Sequence, residues 1–220
     1  MKRPLLQLAL DNLSLEEALD SLKTGVDEAV DIIECGTILI GSEGRRVIGI
    51  IRKLYPDKIL CADFKIADSG SVMGGMILDG KPDLMTVICS AHPMTMKAVK
   101  DEIDRRGLDT EIQIELYGNW TFENVEVWKS MGIHHVILHH SRDKKGGWSE
   151  EEIALTKKLC DAGMKVTVTG SIGYEDIDLF KGLPIYCIIC GRSIRDASDP
   201  KAEALRMKEK LSLLWEKDND

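Results

Sequence analysis

Eight short apolar runs, each followed by an amphipathic or turn-rich stretch, occupy the chain from end to end. The runs are LLQLALD (5–11), DIIECG (31–36), KILCADFK (58–65), LMTVICS (84–90), EIQIELYG (111–118), HVILHHS (135–141), KVTVTG (165–170) and IYCIICG (185–191). Their length, β-branched content and bounding turn residues read as buried strands. Between them the pattern predicts helices after Asn12, where Ser14 precedes Leu-Glu-Glu, then over 42–54, from Ser69, and over 93–106, 121–131 and 149–162. A short piece near Tyr174 and a last helix over 200–215 complete the set. Several stop at glycine before the next strand, as at Gly107, Gly132 and Gly163. Eight βα units in 220 residues fill a (β/α)8 barrel with little to spare, so residues 1–220 read as one α/β barrel domain. An open doubly wound sheet would want a glycine-rich phosphate loop after its first strand. The first strand here runs instead into Asp11-Asn12-Leu13.

Composition removes other classes. With 44% hydrophobic and 30% charged residues the chain is far from the balance that keeps chains unfolded. Acidic residues outnumber basic ones 37 to 29, a formal net charge of −8, which opposes nucleic acid or an anionic membrane as the main partner. No apolar run is long enough to cross a bilayer, and charges at Lys2 and Arg3 precede any leader-like core. A cytoplasmic protein is expected. The six cysteines sit in apolar strand-like runs or, for Cys160, at a helix end. They read as small buried hydrophobes, and Cys187 and Cys190, three apart on a strand, point to opposite faces.

Chemistry concentrates where the strands end, the rim on which barrels of this kind build their active sites. Strand one ends at Asp11, strand two carries Glu34, and strand three ends Asp63-Phe64-Lys65 with Asp68 just beyond. Strand five contains Glu115, strand six ends His139-His140-Ser141-Arg142, strand seven runs into Thr169-Gly170-Ser171, and strand eight into Gly191-Arg192. Inward carboxylates and a lysine are costly in a barrel interior unless partnered or bound to metal. Asp63 and Lys65, two apart, share a strand face; with Asp68 they could form a closed ion-pair network at the barrel mouth. Glu34 and Asp63 also supply hard oxygen ligands suited to Mg2+, a Lewis acid for a developing enediolate. His134 and His135 open strand six and read as solvent-facing. His139 and His140 must point to opposite sides, and spacing alone does not choose between them. His92-Pro93 reads as a helix start, and Trp120, Trp128 and Trp215 as helix packing.

These residues carry a resemblance. Asp63-x-Lys65-x-x-Asp68 at the third strand end is similar to the hallmark of the orotidine-5′-monophosphate decarboxylase superfamily. Within it, the chain resembles the 3-keto-L-gulonate-6-phosphate decarboxylase family over essentially its whole length, from Leu6-Gln-Leu-Ala-Leu-Asp-Asn to Gly191-Arg-Ser-Ile-Arg-Asp-Ala. The family-level matches are Ile33-Glu-Cys-Gly-Thr37, Gln113-Ile-Glu-Leu116, His139-x-Ser-Arg-Asp143 and Lys165-Val-Thr-Val-Thr-Gly170. The resemblance implies that Glu34 and Asp63 hold Mg2+, that Lys65 hydrogen-bonds enediolate oxygens, and that Asp68 reaches a neighbouring subunit's site across a homodimer. It implies substrate contacts from Asp11, Glu115 and Thr169, a water ordered by His139 and Arg142, and a phosphate held by Gly170, Ser171, Gly191 and Arg192. It selects His139 over His140. A sister family, hexulose-6-phosphate synthase, joins formaldehyde to ribulose 5-phosphate through the same enediolate; it typically lacks the arginine matching Arg142 and has a small apolar residue where Thr169 stands. Orotidine-phosphate decarboxylase itself needs no metal. Ser171 stands where a second glycine is usual, and the loop after Arg142 is short. A non-catalytic sugar-phosphate-binding barrel is the remaining alternative.

Overall fold

The expected alternation closes on itself. In a computed structural model describing residues 2–141 and 143–216, strands β1 (Leu5–Leu10), β2 (Ile32–Cys35), β3 (Ile59–Ile66), β4 (Leu84–Ile88), β5 (Glu111–Leu116), β6 (His135–His139), β7 (Lys165–Thr169) and β8 (Cys187–Cys190) form one closed barrel in sequence order. Every neighbouring pair is parallel, and β8 returns to pair with β1. This is the (β/α)8 fold that the strand count predicts. The outward residues, such as Leu6, Leu8 and Leu10 on β1 or Val136 and Leu138 on β6, pack with the helices into one continuous core. Fully burying each such side chain contributes about 1.5–3 kcal/mol. Among the described residues no helix is long and apolar enough to cross a membrane.

The helices follow their local signals with three departures. Helix α1 (Leu15–Ser21), capped by Ser14, is succeeded by a π-helical turn over Leu22–Val26 and a short α2 (Asp27–Ala29). The helix expected over 42–54 is two, α3 (Thr37–Glu43) and α4 (Arg46–Leu54), because Gly44 adopts φ 74° and breaks the run. The piece near Tyr174 is a 3-10 helix, Glu175–Phe180. Helices α5 (Gly70–Leu78), α6 (Pro93–Arg106), α7 (Phe122–Ser130) and α8 (Glu150–Asp161) stand where expected. His92 caps α6 by accepting from the Met94 N–H, and Ser149 with Glu152 forms a capping box on α8. A four-residue α9 (Arg192–Arg195) precedes the long α10 (Pro200–Trp215).

The barrel interior is more polar than branched apolar filling would make it. Gln7, Gln113, His135 and Thr167 are completely buried inside it. His135 therefore corrects the solvent-facing reading: with the inward phase of β6 it lies below Ile137 and His139. Its Nδ1 lies 3.2 Å from Glu111 Oε1, while Nε2 meets the Gln113 amide nitrogen at 3.0 Å and Thr167 Oγ1 at 2.8 Å. An amide N–H can only donate, so Nε2 accepts and the ring proton sits on Nδ1, facing the carboxylate. Lys165 closes the cluster through Glu111 Oε2 at 2.5 Å, and burial, opposed by the His135 and Lys165 bonds, leaves Glu111 lowered to about 2.

Burial, reinforced by the Lys165 charge, holds His135 below its ordinary value of 6.5 despite Glu111. The unfolded chain takes up this proton more readily, so the stability contributed above the unfolded pKa is lost as pH falls through the lowered folded value. Between pH 7 and 5 the melting temperature should fall, and His135→Gln should flatten that dependence while lowering the melting temperature at pH 7. An unaltered slope in a thermal-melt series would refute this assignment.

Candidate active site

The inward phase of the strands brings most of the predicted residues to one cavity of about 480 Å³ at the C-terminal mouth of the barrel. Asp11, Glu34, Asp63, Lys65, Glu115, His139, Thr169, Gly170, Ser171, Gly191 and Arg192 all line it. Asp68 does not: it lies exposed beyond β3, away from the cavity of its own chain. Arg142 lies outside the described residues. His140 faces the other way, as strand geometry requires, and bonds Glu152 Oε1 and the Gly146 carbonyl.

Lys65 is the centre of the constellation. Its strand departs from regular geometry, because β3 shifts register against β4 between Ala62 and Ile66 and Lys65 takes φ 53°. A lysine in this left-handed region is strained by about 1–2 kcal/mol. The Lys65 N–H donates to Thr86 Oγ1 at 2.8 Å, and Nζ is delivered between two carboxylates, 2.6 Å from Asp63 Oδ2 and 2.7 Å from Glu115 Oε2. Nζ also donates to Thr37 Oγ1 at 3.0 Å. Thr37 donates to Asp63 Oδ2 at 2.7 Å and Thr86 to Asp63 Oδ1 at 2.8 Å, so the carboxylate is gripped on both oxygens. Burial opposes ionisation of both partners, but their charges prevail: Asp63 is held below, and Lys65 above, its ordinary range. Glu115 also takes His139 Nδ1 at 2.5 Å, which orients that ring at the cavity wall.

Glu34 behaves differently. It is buried, accepts from the Gln7 side chain at 2.5 Å, and is pushed well above the usual carboxylate range by burial and then by the charges of Asp63 and Asp11. Asp11 is packed against Gly36, where a Cβ would fall 2.3 Å from its Oδ1. Four acidic groups, Asp11, Glu34, Asp63 and Glu115, thus line the cavity around Lys65. Among the described residues no group of three or more His, Cys, Asp or Glu side chains is arranged as a metal site. Mg2+ is commonly held by one or two carboxylates with water and substrate oxygens, so Glu34 and Asp63 fit such an ion chemically and electrostatically.

At the opposite wall the loops after β7 and β8 converge. Gly170 has φ 108° and packs so closely on the sixth-strand loop that a Cβ would lie 1.9 Å from the His140 carbonyl oxygen. Ser171 adopts φ 52°, so the left-handed backbone continues through a residue with a side chain. Trp148 donates to the Gly170 carbonyl at 2.9 Å, Ser193 to the Ile172 carbonyl at 2.7 Å, and Asp176 accepts from the Gly173 N–H at 2.8 Å. These tethers, and the threonines that grip Asp63, were missed in the sequence. Thr86 could have been found from its inward phase on β4, and Thr37 from its place one residue after Gly36 at the end of β2.

Comparison with known proteins places this architecture. Residues 4–207 match the model of the Orotidine 5'-phosphate decarboxylase / HUMPS family. The chain belongs to that family. It is 43% identical over 218 residues to 3-keto-L-gulonate-6-phosphate decarboxylase UlaD of Escherichia coli O139:H28 (strain E24377A / ETEC), covering 98% of this chain and 100% of the relative. A crystal structure of KGPDC from Streptococcus mutans, solved as a ligand complex, superposes with a TM-score of 0.92 at 37% identity, covering 96% of this chain and 99% of that one. A crystal structure of 3-hexulose-6-phosphate synthase is less similar, with a TM-score of 0.84 and 29% identity over 93% of this chain and 98% of that one.

The two glycine-type positions make a matched test of the mouth. Gly170→Ala should cost at least about 2 kcal/mol, since backbone must move to admit the methyl group. Ser171→Gly should change stability by less than about 1 kcal/mol, because relief of left-handed strain is offset by greater freedom of the unfolded chain. Urea unfolding of both variants measures the contrast, and a Gly170→Ala protein as stable as the parent would contradict the packing described.

Proposed function

We propose that the protein is a carboxy-lyase that converts 3-keto-L-gulonate 6-phosphate to L-xylulose 5-phosphate and CO2. The observation that carries this reading is Lys65, bent out of regular strand geometry so that its ammonium group stands between Asp63 and Glu115 on the cavity wall. The similarity to UlaD and to KGPDC of Streptococcus mutans supports the same substrate. Losing CO2 from a β-keto acid breaks a C–C bond and leaves its electron pair on carbon beside a carbonyl, as an enediolate. Lys65, fixed in place before the reaction, donates hydrogen bonds to the oxygens on which that charge develops. Asp11 and Glu115 would accept from sugar hydroxyls. His139, oriented by Glu115, would order the water that returns a proton to carbon. Arg142 is the second group the resemblance assigns to that water. Gly170, Ser171, Gly191 and Arg192 line one end of the cavity, and their backbone N–H groups would hold the phosphate there. Glu34 and Asp63 would hold Mg2+, which supplies Lewis-acid stabilisation of negative oxygen when bound.

The assembly belongs to the same proposal. Asp68 is exposed next to α5, whose Val72 and Met76 are 64% and 39% exposed. A solvent-facing acid beside bare apolar side chains fits a homodimer in which Asp68 enters the partner's cavity. Light scattering should find a dimer, and a fully active monomer would contradict it. Six free thiols, five of them buried, are in keeping with a reducing cytoplasm.

Purified protein with Mg2+ and 3-keto-L-gulonate 6-phosphate should release CO2 and form L-xylulose 5-phosphate. Absence of CO2 from folded protein, or a higher efficiency for adding formaldehyde to ribulose 5-phosphate, would overturn the assignment. Lys65→Ala cannot separate catalysis from a closed ion-pair network, because it strands two buried carboxylates at a cost of about 3–5 kcal/mol whatever Lys65 does. Lys65→Arg keeps the charge and moves the donors. It should retain a folded protein yet lower kcat by about 10²-fold or more, whereas a purely structural lysine would leave turnover nearly intact.

A further inference from the structure

His139 is held at the cavity wall by a hydrogen bond from Nδ1 to Glu115. An imidazole fixed at a single atom can still swing about that contact. The carboxylate only accepts, which leaves Nε2 of the neutral ring as the nitrogen that meets water. A second contact fixes the ring plane. The Tyr117 ring, just beyond β5, stands against His139 with centroids 5.5 Å apart and planes at 70°, the edge-to-face arrangement that aromatic pairs prefer. Its phenol oxygen lies 3.1 Å from Ser141 Oγ, which accepts from the Asp143 N–H at 3.3 Å. One side chain therefore joins the end of β5, the His139 ring and the start of the loop after β6, in which Arg142 follows Ser141.

Tyr117 is itself anchored. Its carbonyl accepts from Cys89 Sγ at 3.1 Å, and its N–H is shared between that sulfur at 3.3 Å and the Glu115 carbonyl at 3.1 Å. Burial pushes the Cys89 thiol up, so it keeps the proton that it donates. Tyr117 is nevertheless 41% exposed and is not part of the cavity wall. An aromatic side chain left this open adds little to the core, so its contacts with His139 and Ser141 are what it contributes.

We propose that Tyr117 is a positioning residue for the protonation step: its ring fixes the plane of His139, and its hydroxyl, through Ser141, fixes the loop that carries Arg142, so that the water they order is held in one place. The inference rests on the decarboxylase reading above and adds to it a residue outside the cavity that governs return of the proton rather than binding.

The test is steady-state turnover of 3-keto-L-gulonate 6-phosphate by the full chain with Mg2+, in H2O and in D2O, for the parent, Tyr117→Ala, Tyr117→Phe and Ser141→Ala. Tyr117→Ala should lower kcat by about tenfold and leave KM within about twofold, because a misplaced proton donor slows the chemical step without loosening the substrate. Its solvent isotope effect on kcat should exceed the parent's, since proton return then limits turnover. Tyr117→Phe keeps the ring and should recover kcat to within about threefold of the parent; Ser141→Ala should match it, as both remove the same hydrogen bond. Tyr117→Leu, which fills the space without a flat ring, carries the test should the alanine variant not fold. A folded Tyr117→Ala enzyme with the parent's kcat, a change in KM alone, or an isotope effect equal to the parent's would overturn the proposal. So would a Tyr117→Phe enzyme as slow as Tyr117→Ala, since the ring contact would then carry nothing. A parent that releases no CO2 removes the decarboxylase reading and this inference with it, whereas CO2 release indifferent to Tyr117 removes this inference alone.

Discussion

One cation shared by two buried carboxylates organises the mouth of this barrel. Lys65 lies between Asp63 and Glu115, and each of these is tied in turn to another element: Asp63 to Thr37 just after β2 and Thr86 on β4, Glu115 to His139 on β6. Four strands, β3 to β6, and the start of α3 are thereby coupled through one ammonium group. Burying these charges is tolerable only because each has several partners, and the same partners leave little freedom in where Nζ points. A group held in this way needs little reorganisation when negative charge appears beside it, which is the general condition for electrostatic catalysis. The local backbone strain at Lys65 is the cost of that placement.

Below this layer the barrel is sealed by amides and an imidazole rather than by aliphatic side chains alone. Gln7 supports Glu34 from beneath, and Gln113 joins the thiol of Cys61 to His135. Each amide presents a donor NH2 end and an acceptor carbonyl end, so the floor specifies orientation as well as filling volume. Small apolar groups complete it, with Ile32, Cys61, Leu84 and Cys187 at the base and Ala9, Ile137 and Ile189 nearer the mouth. The apolar core proper lies outside the barrel, between strands and helices, where it stabilises the scaffold without competing for the site.

The acidic end of the cavity and the end formed by the loops after β7 and β8 use different physics. At the first, side chains crowd negative charge until a cation is favoured; at the second, loops with left-handed residues are held by hydrogen bonds from Trp148 and Ser193 and to Asp176. Thr169 and His139 line the wall between these two ends.

Strand count, strand phase and the stopping points of most helices were legible along the chain, because alternation and capping are local and act over two to four residues. The clustering of Asp11, Glu34, Asp63, Lys65, Glu115 and His139 followed from the same phase once the barrel was inferred. Other features depend on contacts far apart in sequence. His135 looked like an exposed strand opener; its partners Gln113 and Thr167, 22 and 32 residues away, make it a buried neutral imidazole. The bend at Lys65 arises from mismatch between β3 and β4, which neither strand reveals alone. Arg192 and Arg195 are chemically identical in the sequence, and only the packed loops after β7 and β8 leave one in solvent and bury the other. Periodicity assigns a residue to a face, whereas burial, charge and hydrogen bonding belong to the pair or cluster that closure of the barrel creates.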